Sequence, residues 1–532
     1  MNIRLVSRLL GIIAWLIGLT MVFSLPWAWT AAEENQFEHD GFWALVASIG
    51  VCAVVGFLLR LVGHSAEDML YRKEAMAVVG LSWVLATVLG ALPFYFGGVV
   101  FREEAGEPVS MGIVESLFES QSGFSTTGAT TLTDLQNPQW VPRCLLFWRS
   151  STHFLGGLGI IVLFVAVLGQ GSAGKALMRA EMPGPSQEGT QERMQHTAWT
   201  FAAIYCSLIL VLALALRWEG MTWFQALCHA FGAMATGGFS TLNDSLGGFA
   251  SLLPETYRAI EYTVIGFMFL AGTNFTLLYF FLLRGQAGRL LRDPEWRTYT
   301  CIVVIATVLV MFMGLKVTTD FDQRGELTNL EELETAFRDG LFQVVALLTT
   351  TGFCTADFDL WNPFSRALLI TLMFIGGCAG STGGGMKVIR HVLFVKILRR
   401  EVDHSFRPSV VKHLNLAGTA LTDPDLPRNI LVYFGLITLI FSTSWLLLVG
   451  IEPDSTWVES GQPVANKLID SASAVTATLH NIGPGLGIVG PTQNYAAFSA
   501  PAKLLFTFLM MLGRLELFVI LVLVVPSFWR SR

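Results

Sequence analysis

Stretches such as Leu5–Trp27, Gly41–Leu61, Ala75–Phe96 and Leu504–Val525 run for more than twenty residues with hardly a charge among them. A bilayer core of roughly 30 Å is crossed by about 20 mostly apolar residues in a helix. Within that core every backbone N–H and C=O must be satisfied by the protein itself, so runs of this length read as an all-α polytopic membrane protein. Composition agrees: charged residues make up 14% of the 532-residue chain, where soluble domains average about 25%. The pattern places ten full crossings, at roughly 5–27, 41–61, 75–97, 143–169, 197–217, 257–284, 298–316, 364–397, 428–450 and 502–527. The first follows a basic start, "MNIRLVSRLL", like that of a signal peptide. It is too long for one and lacks a small-residue cleavage site, so it is read as a spanning helix.

The loops between crossings alternate in charge. One set is basic: Arg60, Arg72 and Lys73; Lys175, Arg179 and Arg193; Arg284, Arg289, Arg292 and Arg297; then Lys387 through Arg428. The other is acidic: "EENQFEHD" at 33–40, "REEAGE" at 102–107, the 319–335 segment, and Glu452, Asp454 and Glu459. The basic side, termini included, holds 22 of the 34 Lys and Arg residues, which predicts that both termini are cytoplasmic. The acidic outer face would draw cations in and turn anions away, or simply keep the loops solvated. Seven scattered cysteines without a CxxC pair read as buried structural thiols rather than a metal or redox site.

Four outer connections break the pattern. Each holds a segment too short to cross, Ile113–Gln121, Trp223–Ala233, Glu334–Leu347 and Ala465–Thr478, followed by a polar glycine turn. The turns read "STTGATT" (125–131), "MATGGFST" (234–241), "LTTTGFCT" (348–355) and "LHNIGPGLG" (479–487). A second glycine marker follows each: "LGGLGI", "LAGTNF", "CAGSTGGG" and "LGRLELF". Counted from Gly128, Gly238, Gly352 and Gly483, the markers Gly157, Gly272, Gly380 and Gly513 lie 29, 34, 28 and 30 residues on. The chain is therefore read as an N-terminal two-helix segment (1–70) and four repeats, 71–195, 196–296, 297–425 and 426–532.

Each repeat crosses twice, so all four share one orientation and can surround a common axis. Inverted repeats, which build rocking transporters, need an odd number of crossings. Non-helical backbone at membrane depth is tolerated where it is buried or lines a watery cavity. Four such turns on one axis could replace the water around a cation with carbonyl oxygens. The expected ion site is Thr126, Thr127 and Gly128; Thr236, Gly237 and Gly238; Thr350, Thr351 and Gly352; and Asn481, Ile482 and Gly483. Gly237 and Gly238 both fit the register of the second turn, and the Gly-Phe match to Gly352-Phe353 favours Gly238. No turn carries the carboxylate ring expected of a divalent filter or the basic ring expected of an anion pore, so a monovalent cation is favoured. Turns that serve packing alone are the bland alternative.

At these residues the chain resembles the Trk/Ktr/HKT superfamily of potassium transporters, most closely its bacterial TrkH/TrkG branch. The resemblance covers nearly the whole chain, through "SGFSTTGAT", "ATGGFST", "TTTGF" and "HNIGPG" in the turns and "GGLGI", "AGSTGGGMK" and "GRLE" in the following helices. It implies two extra N-terminal helices and a pseudo-fourfold arrangement of helix, pore helix, filter and helix. It further implies Gly128, Gly238, Gly352 and Gly483 as filter glycines, and K+ rather than Na+ as cargo because Gly128 stands where a serine goes with sodium preference. A homodimer in the bacterial inner membrane and a cytosolic TrkA-type nucleotide-binding subunit are implied as well. No GxGxxG follows a soluble strand here, so that subunit's nucleotide site belongs to another chain. No organic cofactor and no nucleic acid are expected.

The glycine-rich stretch "FIGGCAGSTGGGMK" (374–387) should break the eighth helix, since glycine costs about 1 kcal/mol against alanine in a helix interior. Small residues also serve plain helix packing in membranes. The expected gate is Gly380, Ser381, Thr382, Gly383, Gly384 and Gly385 together with Arg514. A charge at that depth costs about 2.5–3.5 kcal/mol on insertion scales, so Arg514 should face the interior. Its family counterpart lies beside the glycine loop; pairing with Glu516 or Glu119 is the structural alternative. Glu119, His229, Gln343 and Ala474 share one offset in the four pore helices, and their variety argues against a fourfold ion site there. Arg149 and His153 read as anchors without chemistry. A coupled secondary transporter of a monovalent cation or small solute remains the alternative function. A membrane-embedded enzyme or receptor would need intramembrane His, Asp, Glu or Cys clusters that the sequence does not offer.

Overall fold

The computed structural model describes residues 2–29, 37–64, 71–104, 106–168, 191–314, 330–407, 415–416, 419–420, 425–514 and 517–530. Glu516, Lys175, Arg179, and parts of the acidic 33–40 and 319–335 loops and of the basic 387–412 segment lie outside these residues. Among those described, the regular structure is helical apart from two short antiparallel hairpins, Val100–Glu104 with Glu107–Ser110 and Asn415–Leu416 with Thr419–Ala420.

The N-terminal pair, Ile3–Met21 and His39–Val62, packs through small residues. Gly11 and Gly56 lie so close that a Cβ on either would meet the other's carbonyl oxygen, and Gly56 also faces the Trp15 ring. In lipid, where burial of apolar area drives little, such close approach is what holds helices together.

Each repeat then follows the same course. Outer helices (Arg72–Phe96, Gln191–Trp218, Pro294–Leu309 and Leu426–Ile451) lead to pore helices (Ile113–Phe124, Trp223–Met234, Leu330–Leu348 and Lys467–Leu479). Among the described residues six helices are long and apolar enough to cross a membrane alone, all of them outer helices or N-terminal ones. Local chemistry sets the starts. Thr222 and Gln225 form a capping box on the second pore helix, and Asp293 with Pro294 opens the third outer helix. Among the described residues two large apolar cores result, one mainly joining the N-terminal pair to repeats 1 and 4, the other mainly joining repeats 2 and 3. A small third cluster of Ala379, Ile389, Leu393, Ile397 and Ile430 lies between repeats 3 and 4.

The inner helices depart most from the sequence pattern. Only the first, Arg143–Leu168, is continuous. The second, expected as one crossing over 257–284, is two helices, Tyr257–Ala271 and Phe275–Leu282, bent by 111°. The third divides into Pro363–Met373 and Val388–Phe406 around the glycine stretch, as expected. The fourth, expected over 502–527, is a helix Ala500–Arg514 and a short helix Phe518–Val524. The second and third breaks satisfy each other: Cys378 N–H donates to Gly272 O (2.8 Å), and Phe275 N–H to Gly380 O (3.0 Å). That exchange is why Gly272–Asn274 can leave the helix inside the bilayer.

Candidate ion filter and gate

All four pore helices end in the same backbone motif. In repeat 1 Thr127 N–H donates to Ser122 O (2.9 Å) and Thr126 N–H to Gly123 O (3.0 Å). The first of these bonds recurs from Gly237 to Gly232, Thr351 to Ala346 and Ile482 to Ala477, each at 2.8 Å. This is a Schellman cap, which requires a left-handed residue just past the helix. Glycine usually fills that place. Here it is Thr126 (φ 52°), Thr236 (φ 55°), Thr350 (φ 60°) and Asn481 (φ 56°). A β-branched residue there costs about 1–2 kcal/mol, strain of the kind that clusters at functional sites.

Two residues on, Gly128, Gly238, Gly352 and Gly483 again have positive φ, at 81°, 75°, 74° and 97°. The alternation pairs Thr236 with Thr126 and so makes Gly238, not Gly237, the counterpart of Gly128. Only glycine adopts this second left-handed turn without penalty.

The four turns meet in a closed ring. A Cβ placed on Gly128 would strike the carbonyl oxygen of Gly237; on Gly238, that of Thr351; on Gly352, that of Ile482; and on Gly483, that of Thr127. The sequence of contacts returns to its start. Among the described residues, no hydrogen bond reaches the carbonyl oxygens of Thr126, Thr236, Thr350 and Asn481, or those of Thr127, Gly237, Thr351 and Ile482. Two rows of four acceptors without donors, buried within the protein, are a strong requirement for a cation or water. The pore helices also present their C-terminal, partially negative ends here.

Beneath the ring lies the glycine stretch. Gly384 N–H donates to the Thr350 hydroxyl (2.7 Å), and the space above Gly383 and Gly385 is occupied by Thr349 and His480 carbonyl oxygens. Thr382 Oγ1 donates to Met234 O (3.0 Å), at the end of the second pore helix, and Lys387 Nζ donates to Gly383 O. Arg514 is buried and donates from Nη1 to Thr382 O (2.7 Å) and from Nη2 to Gly156 O (3.0 Å). Of the expected gate residues, Thr382, Gly383, Gly384, Gly385 and Arg514 are thus gathered under the turns, with the arginine bound to loop backbone. Gly380 stands apart at the bend of the second inner helix, facing Asn274.

Comparison with known proteins fits this geometry. The TrkH family, described as Cation transport protein, matches residues 42–531. The chain belongs to the TrkH family. Its relatives include the Trk system potassium uptake protein TrkH of Salmonella typhimurium, 35% identical, and that of Escherichia coli strain K12, 34% identical, each covered in full along with this chain. The crystal structure of the potassium transporter TrkH from Vibrio parahaemolyticus superimposes with a TM-score of 0.81 at 30% identity over the whole of both chains. TrkH-family proteins are membrane transport proteins rather than enzymes, and the chain is read accordingly.

Within this TrkH-family chain the charged residues near the filter have specific partners. Glu119, fully buried, accepts from Arg149 Nε (2.5 Å), Thr130 Oγ1 (3.0 Å) and Thr131 N–H (3.1 Å). Arg149 also donates to Ser240 O (3.2 Å) and lies 3.4 Å over the Phe239 ring, on which His153 stacks at 4.0 Å. Glu119 therefore pairs with Arg149 and not with Arg514. The pair ties the descending arm of the first turn to that of the second, a position-holding role larger than the anchoring expected from sequence. The offset set continues weakly: His229 Nε2 meets Ser240 Oγ at 3.0 Å, and Gln343 Nε2 donates to Thr355 Oγ1 at 3.4 Å.

Two residues went unremarked in the sequence. Glu295 Oε1 accepts from Ala379 N–H (2.7 Å), within the glycine stretch, and from Ile389 N–H (3.0 Å), in the helix that follows it, tying the two together. Its signal was a carboxylate at the mouth of an apolar run. Tyr495 Oη donates to Gly483 O (2.8 Å); nothing in its spacing marks it. The seven cysteines are all free, and no metal-ligating cluster occurs among the described residues.

Proposed function

We propose that this protein carries K+ into bacterial cells across the inner membrane, with both termini in the cytoplasm. The ion sheds its water against the carbonyl rows of Thr126, Thr236, Thr350 and Asn481, and of Thr127, Gly237, Thr351 and Ile482, with Gly128, Gly238, Gly352 and Gly483 above them. The closed ring made by the four glycines carries this reading, because one passage lined by unpaired main-chain oxygens suits a monovalent cation. Relatives bear the name potassium uptake protein, which supports the same cargo.

Below the filter, the Gly380–Gly385 loop and Arg514 obstruct the path. The loop displaces water from the filter's inner mouth, and the guanidinium adds an electrostatic barrier. Opening requires Arg514 to leave Thr382 O and the loop to leave Thr350. The protein works as a homodimer, and a cytosolic TrkA-type subunit sets the loop's position. The membrane potential supplies about 2.3 kcal/mol per charge per 100 mV, enough to accumulate K+.

Rubidium uptake into cells lacking other K+ systems, with Na+ as competitor, tests the cargo. In the same cells Gly128→Ser relaxes discrimination against Na+. An unaltered ratio in a well-expressed variant counts against the filter assignment.

A further inference from the structure

The fourth turn differs from the other three at its outermost oxygen. Tyr495 Oη donates to Gly483 O at 2.8 Å, whereas no hydroxyl reaches Gly128 O or Gly238 O among the described residues, and Gly352 O is approached only by the weak Cys354 Sγ donor at 3.7 Å. Gly483 is also the outlier in backbone angle, with φ at 97° against 74–81° for its three counterparts. It alone is followed by proline, Pro484, so its carbonyl belongs to a peptide unit with no N–H.

Tyr495 is held firmly in place. Its own N–H donates to Thr130 O (2.8 Å), beyond the first turn, and its ring packs against Phe118, Phe498 and Phe506 at centroid distances of 5.4, 6.0 and 5.3 Å. The side chain is 2% exposed. The hydroxyl thus reaches Gly483 O from the protein side, out of the seam between repeats 1 and 4.

We propose that Tyr495 is a specificity-determining residue of the filter, holding the Gly483 carbonyl in place and lowering the field it presents to the ion. The inference rests on the reading of the four turns as a K+ filter. Two physical effects act in the same direction. A carbonyl already accepting a proton attracts a cation less strongly, and weaker ligand fields favour the larger, more easily dehydrated K+ over Na+. A carbonyl tied from behind also cannot swing inward to close the cage around a smaller ion. The outer rung is then two oxygens that no donor reaches among the described residues, one met only by a weak thiol and one restrained by a hydroxyl, and the restrained one disfavours Na+.

The test uses purified full-length protein in liposomes, with the K+ over Na+ permeability ratio taken from reversal potentials. Tyr495→Phe keeps the ring and removes the donor. It lowers the ratio by about threefold, the scale of one neutral hydrogen bond, while thermal stability and maximal flux stay close to wild type. Phe118→Leu disturbs the packing of Tyr495 and keeps its hydroxyl, and leaves the ratio unchanged. Incorporating 3,5-difluorotyrosine at position 495, a stronger donor, raises the ratio and gives an answer even where Tyr495→Phe does not fold. If Tyr495→Phe leaves the ratio unchanged while Gly128→Ser lowers it, the role of Tyr495 is refuted and the filter reading stands. If Gly128→Ser also changes nothing, the filter reading itself fails and this inference with it. An equal fall for Phe118→Leu would assign the effect to packing and overturn the role of the hydroxyl.

Discussion

Arg514 donates to the carbonyl oxygen of Thr382 at 2.7 Å, joining the inner helix of the fourth repeat to the glycine loop of the third. Its other terminal nitrogen reaches Gly156 in the first repeat. Thr382 is itself bonded to Met234 and Ala271 of the second. One guanidinium and one threonine therefore connect all four repeats directly beneath the ring of turns. A guanidinium at membrane depth is costly to bury, and its two charge-assisted hydrogen bonds offset that cost only while loop and helix keep this arrangement.

Arg514→Ala should raise K+ flux. A unit positive charge about 8 Å from a passing K+ costs it roughly 2 kcal/mol at an effective dielectric near 20, so its removal is worth upward of tenfold, in addition to freeing the loop. Arg514→Lys keeps the charge but loses the two-carbonyl fork, and should fall between. Rubidium flux through purified, reconstituted variants measures this. Flux at or below wild type in a folded Arg514→Ala protein would make the arginine purely structural.

The Thr350 hydroxyl accepts from Gly384 N–H, so the loop's position in this structure rests on a residue that also bears the left-handed strain of the third turn. Thr350→Val preserves shape and leaves the Gly384 N–H unpaired, a loss of about 1–3 kcal/mol for a buried donor. On the proposed reading of the loop as a gate, its hold on the filter is weakened and basal flux should rise. Thr350→Ser restores the acceptor and should restore low basal flux. If valine and serine behave alike, the hydroxyl does not hold the loop.

How far the sequence carried the reading depends on which interaction was local. The pore helices and their turns were legible because a Schellman cap is written in a few consecutive residues, and the structure ends those helices within three residues of the pattern. The glycine stretch announced its own break. The bend at Gly272–Asn274 did not, because "LAGTNF" leaves the helix only where Gly380 and Cys378 of another repeat supply its hydrogen bonds. Glu119 was offered Arg514 as an alternative partner rather than Arg149, which lies 30 residues away, and the varied offset set of Glu119, His229, Gln343 and Ala474 gives no hint of the pair. Tyr495 was illegible for the same reason. Pseudosymmetry exposes what the four units share and conceals what one of them adds.

The Glu119–Arg149 pair should behave as a coupled unit. Removing one partner of a buried pair costs about 3–5 kcal/mol, because the other is left charged and unpaired. Glu119→Gln keeps an acceptor for Thr131 N–H yet strands the Arg149 charge, and should lower the melting temperature sharply. Adding Arg149→Met removes that charge and should recover a large part of the loss. A double-mutant cycle on thermal stability in detergent reads the coupling directly. Additive effects of the two substitutions would show that the contact carries no coupling.

Asp359 lies outside the spanning segments, at the outer mouth between repeats 3 and 4, where it accepts from Gly487 N–H (2.8 Å) and faces Arg366 at 3.5 Å. Burial pushes its carboxyl up to about 6 from the usual 3.8, despite that N–H and Arg366, with Asp357 and Asp470 nearby adding to the rise. A carboxyl with a raised folded-state pKa holds its proton more tightly when folded than when unfolded. Its contribution is therefore most favourable at low pH and is lost as pH rises from about 4 to 6, by on the order of 3 kcal/mol. Asp359→Asn retains an acceptor for Gly487 and has no proton to lose. Relative to wild type, the variant should gain stability as pH is raised from about 4 to 6, seen as a melting-temperature difference that grows in its favour. A difference that moves the other way would mean that the folded protein prefers the ionised carboxylate, with Arg366 and Gly487 outweighing burial.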